Sequence, residues 1–159
     1  MPRALGPILK TLLFTIVAPG SVTVLFPYWI LGRRPNLVLH ALGMFGIILV
    51  AVGAAIYLRC AWEFAYRGLG TPAPIDPPKV LVSRGLHRFV RNPMYVGVLT
   101  VVLGEAALFH SRDLLIYGAI VALAFHLFVV LYEEPTLRRQ FGEAYEEYCR
   151  TVRRWMPRF

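Results

Sequence analysis

The sequence predicts an all-α integral membrane protein with about four transmembrane helices and a cytoplasmic C-terminal helix. Three observations carry this. Of 159 residues, 57% are hydrophobic and only 16% are charged, against roughly 45–50% and about 25% in soluble domains. The apolar residues are gathered into four runs, and mean hydropathy reaches +0.58. The basic residues, which give a net charge of +8, fall between those runs. A disordered chain, a collagen-like fibre and an ordinary soluble basic domain are excluded. The length fits a single domain, 1–159.

The first run, Leu12 to Leu31, extends back to Ile8. Crossing a hydrocarbon core of about 30 Å takes about 20 residues at 1.5 Å each. Arg3 and Lys10 precede this run, as they would a signal peptide, but it outlasts the usual h-region and ends at no small-residue cleavage site. It is expected to stay as a span, kinked at Pro19-Gly20 and Pro27. The second run, Leu37 to Leu58, contains no charge apart from a protonatable His40. Its helix is expected to continue through Trp62 and Tyr66, making residues 1–67 a helical hairpin.

Residues 68–82 read as a linker, because Gly-Leu-Gly-Thr-Pro-Ala-Pro-Ile-Asp-Pro-Pro cannot be helical throughout. Gly68-Leu69-Gly70 has half of a phosphate-binding fingerprint but no third glycine, preceding strand or downstream acid, so a plain turn is expected. Residues 83–159 hold the second hairpin and a C-terminal helix. The third run, Met94 to Phe109, is short and interrupted by Glu105; the fourth, Leu114 to Tyr132, contains His126. Pro135 is expected to start a new helix at its first position, continuing from Thr136 to Arg150. Leu137, Phe141, Tyr145 and Tyr148 would form one packing stripe on it.

Four spans place the N-terminus, the middle segment and the tail on one side with 14 Lys and Arg residues, against 3 in the two other loops. The positive-inside rule puts the side with 14 in the cytoplasm. The basic pI is thus largely a topology signal, and no nucleic-acid partner is expected. Cys60 and Cys149 stand in unrelated contexts and imply neither a disulfide framework nor a metal site.

The candidate site lies where the second hairpin meets the cytoplasm. Gly85-Leu86-His87-Arg88-Phe89-Val90-Arg91-Asn92-Pro93-Met94-Tyr95-Val96-Gly97 leads into the third span, and Tyr132-Glu133-Glu134-Pro135-Thr136-Leu137 leaves the fourth. A short loop at 110–113 would bring both to one membrane face. Each has a plainer reading: Arg84, Arg88 and Arg91 as anchors to lipid phosphate, and Glu133-Glu134 as partners of a helix dipole.

Together these segments resemble the membrane methyltransferase superfamily of isoprenylcysteine carboxyl methyltransferases and phospholipid N-methyltransferases. That pattern runs Arg-His-Pro-x-Tyr-x-Gly, an apolar helix, Glu-Glu-x-x-Leu, then Phe-Gly-x-x-Tyr-x-x-Tyr. Here it reads Arg91-Asn92-Pro93-Met94-Tyr95-Val96-Gly97, Glu133-Glu134-Pro135-Thr136-Leu137 and Phe141-Gly142-Glu143-Ala144-Tyr145-Glu146-Glu147-Tyr148, over about half the chain. Asn92 stands where the family often has histidine.

The resemblance implies S-adenosylmethionine as cofactor, bound beneath the C-terminal helix by His87, Arg91, Asn92, Pro93, Tyr95, Gly97, Glu133 and Glu134. The residue types suit such a ligand. Arg91 would pair with its carboxylate, Glu133 or Glu134 with its ammonium or ribose hydroxyls, and Tyr95, Tyr145 or Trp155 would offer flat surface. Arg91 and Glu134 are the catalytic candidates, Glu134 taking a proton if the acceptor is an amine. The acceptor would be lipophilic and reach the site through the bilayer. Glu105 and His126 would line its path or form a buried pair between helices. A non-catalytic lipid-binding module and a small transporter are the alternatives that hydropathy alone permits.

Overall fold

The computed structural model describes residues 5–32, 37, 40–67 and 80–157. The predicted linker is therefore outside the described residues at 68–79, Gly68-Leu69-Gly70 included. So are Arg3, Arg33, Arg34, Lys79 and Arg158 of the basic residues.

Every apolar run forms helix. α1 (Leu5–Gly20) passes through a π-helical turn, Ser21–Leu25, into α2 (Phe26–Leu31). α3 (Ala41–Arg67) extends past the apolar run, as the sequence predicts. A 3₁₀ turn, Gly85–Arg88, precedes α4 (Pro93–Leu108). α5 (Arg112–Phe128) runs through a second π turn, Val129–Glu133, into α6 (Glu134–Phe141), and α7 (Glu143–Thr151) follows. No strand occurs among the described residues; one isolated parallel bridge joins Val90 to Arg153.

Three helical stretches are long and apolar enough to cross a membrane: Leu12–Leu31, Ala41–Glu63 and Arg112–Phe141. α4 is apolar but has 16 residues, about 24 Å of rise. Large apolar side chains such as Leu13, Ile16, Ile48, Ile120 and Leu131 are exposed, as lipid-facing residues are in a bundle whose backbone is satisfied internally.

Pro135 behaves differently from expectation. The residues flanking both π turns keep right-handed helical dihedrals, so the backbone continues past Pro19, Pro27 and Pro135. Pro27 and Pro135 each occupy the second position after a π turn. There the wider i→i+5 ring removes the need for the bond that a proline nitrogen cannot make. Pro135 therefore does not start a new helix. The break comes at Gly142, whose φ of +53° ends α6 and turns the chain into α7. The predicted stripe survives this break. Tyr145, Tyr148 and Val152 form a buried cluster with Leu81, Leu137 and Phe141 packed against it.

α3 and α4 make the most extensive interface, and glycine permits it. A Cβ on Gly46 would lie 2.6 Å from the Gly104 carbonyl oxygen, and one on Gly53 would lie 2.6 Å from that of Gly97. The reciprocal distances are 2.7 Å and 2.9 Å. Two glycine pairs seven residues apart thus let antiparallel backbones touch, the small-residue packing that membrane helices use when no hydrophobic force drives them together. The α4–α5 corner turns at His110, with φ +48°, and the Ser111 hydroxyl caps α5 by accepting from Leu114 N at 3.2 Å. The first helix is tied on by a Thr15 Oγ1–Tyr57 hydroxyl bond of 2.9 Å and by Tyr117, whose hydroxyl donates to the Val22 carbonyl at 2.9 Å.

Candidate functional site

At the end of the bundle where α4 begins and α5 gives way to α6, the chain encloses a cavity of about 190 Å³. His87, Arg91, Asn92, Pro93 and Tyr95 line it from the 3₁₀ turn and the start of α4, and Glu133 and Glu134 from the fourth apolar helix. Phe14, Pro19, Val22, Tyr57, Val98 and Phe125 supply an apolar wall. Seven of the eight residues expected at a cofactor site thus share one cavity. Gly97 does not: its missing side chain makes room for the Gly53 carbonyl and the Tyr57 backbone nitrogen, so it serves helix packing.

Glu134 is the electrostatic centre of the site. It is 3% exposed and receives two bonds from Arg154, Nε to Oε1 at 2.6 Å and Nη2 to Oε2 at 2.9 Å. Arg91 Nη1 lies 3.2 Å from Oε1, and Arg138 Nη2 lies 4.0 Å from Oε2. Three guanidinium groups surround one carboxylate, and the outermost of them, Arg138, is shared with the Glu146 carboxylate. The fork of Arg154 matches the carboxylate in bidentate fashion, the strongest common form of this pair. Arg91 Nη1 also donates to Cys149 Sγ at 2.7 Å, while its Nε–H is buried with no acceptor among the described residues.

Residues 153–154 grip the start of α4 through the backbone as well. Arg91 N donates to the Arg153 carbonyl at 2.9 Å, and Asn92 Nδ2 donates to the Arg154 carbonyl at 3.2 Å. Asn92 stands at the cap position of α4 but makes no capping bond there; its buried amide holds the tail instead.

Glu133 points to a different partner, accepting from the Tyr95 hydroxyl at 2.9 Å. The Tyr95 ring packs at 4.8 Å from Phe125 and 6.4 Å from Trp155. Trp155 Nε1 donates to His126 Nδ1 at 3.2 Å, so the tail is anchored to α5 as well as to α6. The expected pairing of Glu105 with His126 is not formed. Glu105 is three residues from the end of α4 and His126 fourteen from the start of α5, a depth difference of about 16 Å. Glu105 Oε2 is buried without a hydrogen-bond partner among the described residues. Neither residue lines the cavity.

Burial holds the His87 imidazole neutral, lowering its pKa to about 4. The Tyr148 hydroxyl donates to the His87 carbonyl at 2.6 Å, and burial raises the pKa of both Tyr145 and Tyr148 well above the usual phenol value. Behind His87, Gly85 adopts φ +61° with the buried Glu63 carboxylate filling the space of its missing side chain; Arg59 is 3.3 Å from that carboxylate. Glu143, Glu146 and Glu147 form a solvated face, with Arg138–Glu146 at 2.7 Å and Arg150–Glu147 at 3.6 Å. Among the described residues no group of three His, Cys, Asp or Glu side chains is placed to hold a metal ion.

The sequence reading missed Arg154, Cys149 and Glu63. Arg154 lies twenty residues from its partner in a tail without helical periodicity, so no spacing rule joins them.

The family model described as phospholipid methyltransferase matches residues 41–144. Two rice proteins, from Oryza sativa subsp. indica and subsp. japonica, each named "Probable protein-S-isoprenylcysteine O-methyltransferase", are 31% identical over 77 residues. The match covers 48% of this chain and 40% of each rice protein.

Proposed function

The chain belongs to the phospholipid methyltransferase family, and from that premise we propose that it is a membrane-embedded methyltransferase using S-adenosylmethionine and a lipophilic acceptor. The carrying observation is Arg91: it lines the cavity with a buried Nε–H that has no acceptor among the described residues, while Arg154 already holds both oxygens of its neighbour Glu134. A donor so placed suits a carboxylate. Glu133, on the same cavity, is an acceptor for an ammonium or a ribose hydroxyl, and Tyr95 and Phe125 offer flat rings. The donor set therefore fits both ends of an amino-acid-bearing cofactor.

When bound, S-adenosylmethionine supplies an electrophilic methyl group on a sulfonium. The protein's part in an in-line displacement is alignment and exclusion of water rather than covalent chemistry. Arg91 would orient the cofactor through its carboxylate. His87, Asn92 and Pro93 would shape the polar rim, and Glu134 would hold Arg91. Both oxygens of Glu134 already accept charge-assisted bonds, so a proton leaving an amine acceptor is better assigned to Glu133, which accepts from Tyr95. A carboxylate or thiolate acceptor would need no base. The apolar wall from Phe14 to Phe125 suits an acceptor with a hydrocarbon chain, a prenylcysteine-like carboxylate or a phospholipid amine.

Four spans with this end in the cytoplasm is the topology we infer. It follows from 14 basic residues on one side against 3 and from the close packing of short α4 along α3. Incubating the purified protein with methyl-labelled S-adenosylmethionine and a lipid extract tests the proposal. A labelled lipid, lost in Arg91→Ala, is expected; absence of both cofactor binding and labelled product overturns it.

A further inference from the structure

We propose that Arg154 is a positioning residue for cofactor binding, acting through Glu134 to keep Arg91 available; this rests on the reading of the cavity as a cofactor site. Arg154 does not line the cavity, whereas Arg91 and Glu134 do. Its guanidinium takes both oxygens of the buried Glu134 at 2.6 Å and 2.9 Å. Arg91 is left a single longer contact of 3.2 Å through Nη1, with its Nε–H uncommitted among the described residues.

The distribution matters because an ionised carboxylate in so dry a place must be compensated. Without Arg154 the nearest remaining cations are Arg91 and the half-exposed Arg138, 4.0 Å away. Glu134 would then draw in Arg91 with more than one donor and remove it from the ligand. Arg154 thus determines how Arg91 divides its donors between the protein and the cofactor.

The backbone contacts make this a device rather than a chance surface pair. The Arg153 and Arg154 carbonyls accept from Arg91 N and Asn92 Nδ2. Arg154 is therefore delivered to Glu134 by the same segment that fixes the Arg91 backbone and the Asn92 side chain. Trp155, bonded to His126, holds the following residue.

The test is a cycle of variants of the full chain in detergent, read by isothermal titration with S-adenosylmethionine and by thermal unfolding. Arg154→Ala is expected to weaken cofactor binding roughly tenfold, within the coupling range of groups sharing one ion-pair network. Arg154→Lys, which keeps the charge without the fork, is expected between Ala and wild type, and it is the variant read if Arg154→Ala does not fold. Glu134→Gln combined with Arg154→Ala should bind no more weakly than Glu134→Gln alone, since Arg154 acts through that carboxylate. A purely structural role would lower the unfolding temperature without this non-additivity. Wild-type affinity in Arg154→Ala, or additive losses in the double variant, overturns the inference while leaving the cofactor site intact. A wild-type protein that binds no S-adenosylmethionine overturns both.

Discussion

Replacing Gly53 with alanine sets two opposed effects against each other. In a helix interior, alanine is favoured over glycine by about 1 kcal/mol. Here, however, the new Cβ would meet the Gly97 carbonyl oxygen at 2.6 Å and Val101 N at 2.8 Å. Both obstacles are backbone, so no side chain can rotate away. Restoring ordinary contact parts α3 from α4 by roughly 0.7–0.9 Å at the crossing, a gap that forfeits about a quarter to a half of each dispersion contact nearby. Overpacking of this kind costs about 1–3 kcal/mol, and inside a bilayer the added methyl gains no hydrophobic energy in return. Set against the propensity gain, this leaves Gly53→Ala destabilised by up to about 2 kcal/mol. Combined with Gly46→Ala, whose Cβ would meet the Gly104 carbonyl at 2.6 Å, the loss should reach about 3 kcal/mol. Gly118→Ala is the control: its Cβ would meet only a Val102 methyl at 3.3 Å, so it should be neutral or slightly stabilising. Equilibrium unfolding in mixed micelles, followed by circular dichroism, measures all four proteins. Equal stability of Gly53→Ala and Gly118→Ala would refute the close-packing argument.

Three further outcomes are expected. The folded-state pKa of His87, about 4, lies below the unfolded value of about 6.5. Its contribution is thus intact above pH 6.5 and lost as pH falls towards 4; the loss of up to about 3 kcal/mol should vanish from the pH–stability curve of His87→Gln. Tyr148→Phe leaves the buried His87 carbonyl without its 2.6 Å donor and should cost about 1–2 kcal/mol, seen as a lower unfolding temperature with helix content unchanged. Ser111→Ala removes the cap of α5 and should cost about 1 kcal/mol, with faster amide exchange at Leu114.

The helical runs and the site cluster were legible because both rest on local rules. Hydropathy marks helices that lipid surrounds, and short motifs at the two ends of a hairpin are brought together by its loop. Pro135 misled because a missing N–H suggests a helix start, and nothing local announces that a π turn will absorb it. Gly97 lay within a motif, yet its contact is with Gly53 on another helix. The seven-residue spacing of Gly46 and Gly53 matches that of Gly97 and Gly104 only once the helices are known to run antiparallel. Glu105 and His126 were joined by chemistry alone, and counting residues from the corner separates them. Arg154 was invisible because its partner is set by a tail that follows no period.

The π turn at Val129–Glu133 gives the last long helix two phases. A π ring holds one residue more than an α turn, and one residue corresponds to a rotation of about 100°. Side chains beyond the turn are rotated by that amount relative to an uninterrupted helix. The face that α5 turns to lipid therefore does not run on in register into the face that α6 turns to the tail. Glu133 closes the turn and Glu134 opens α6, and the two meet different partners, Tyr95 and Arg154. A single-codon deletion between 129 and 133 would restore one phase throughout, and the α6 side chains, Glu134 included, would turn about 100° away from the tail.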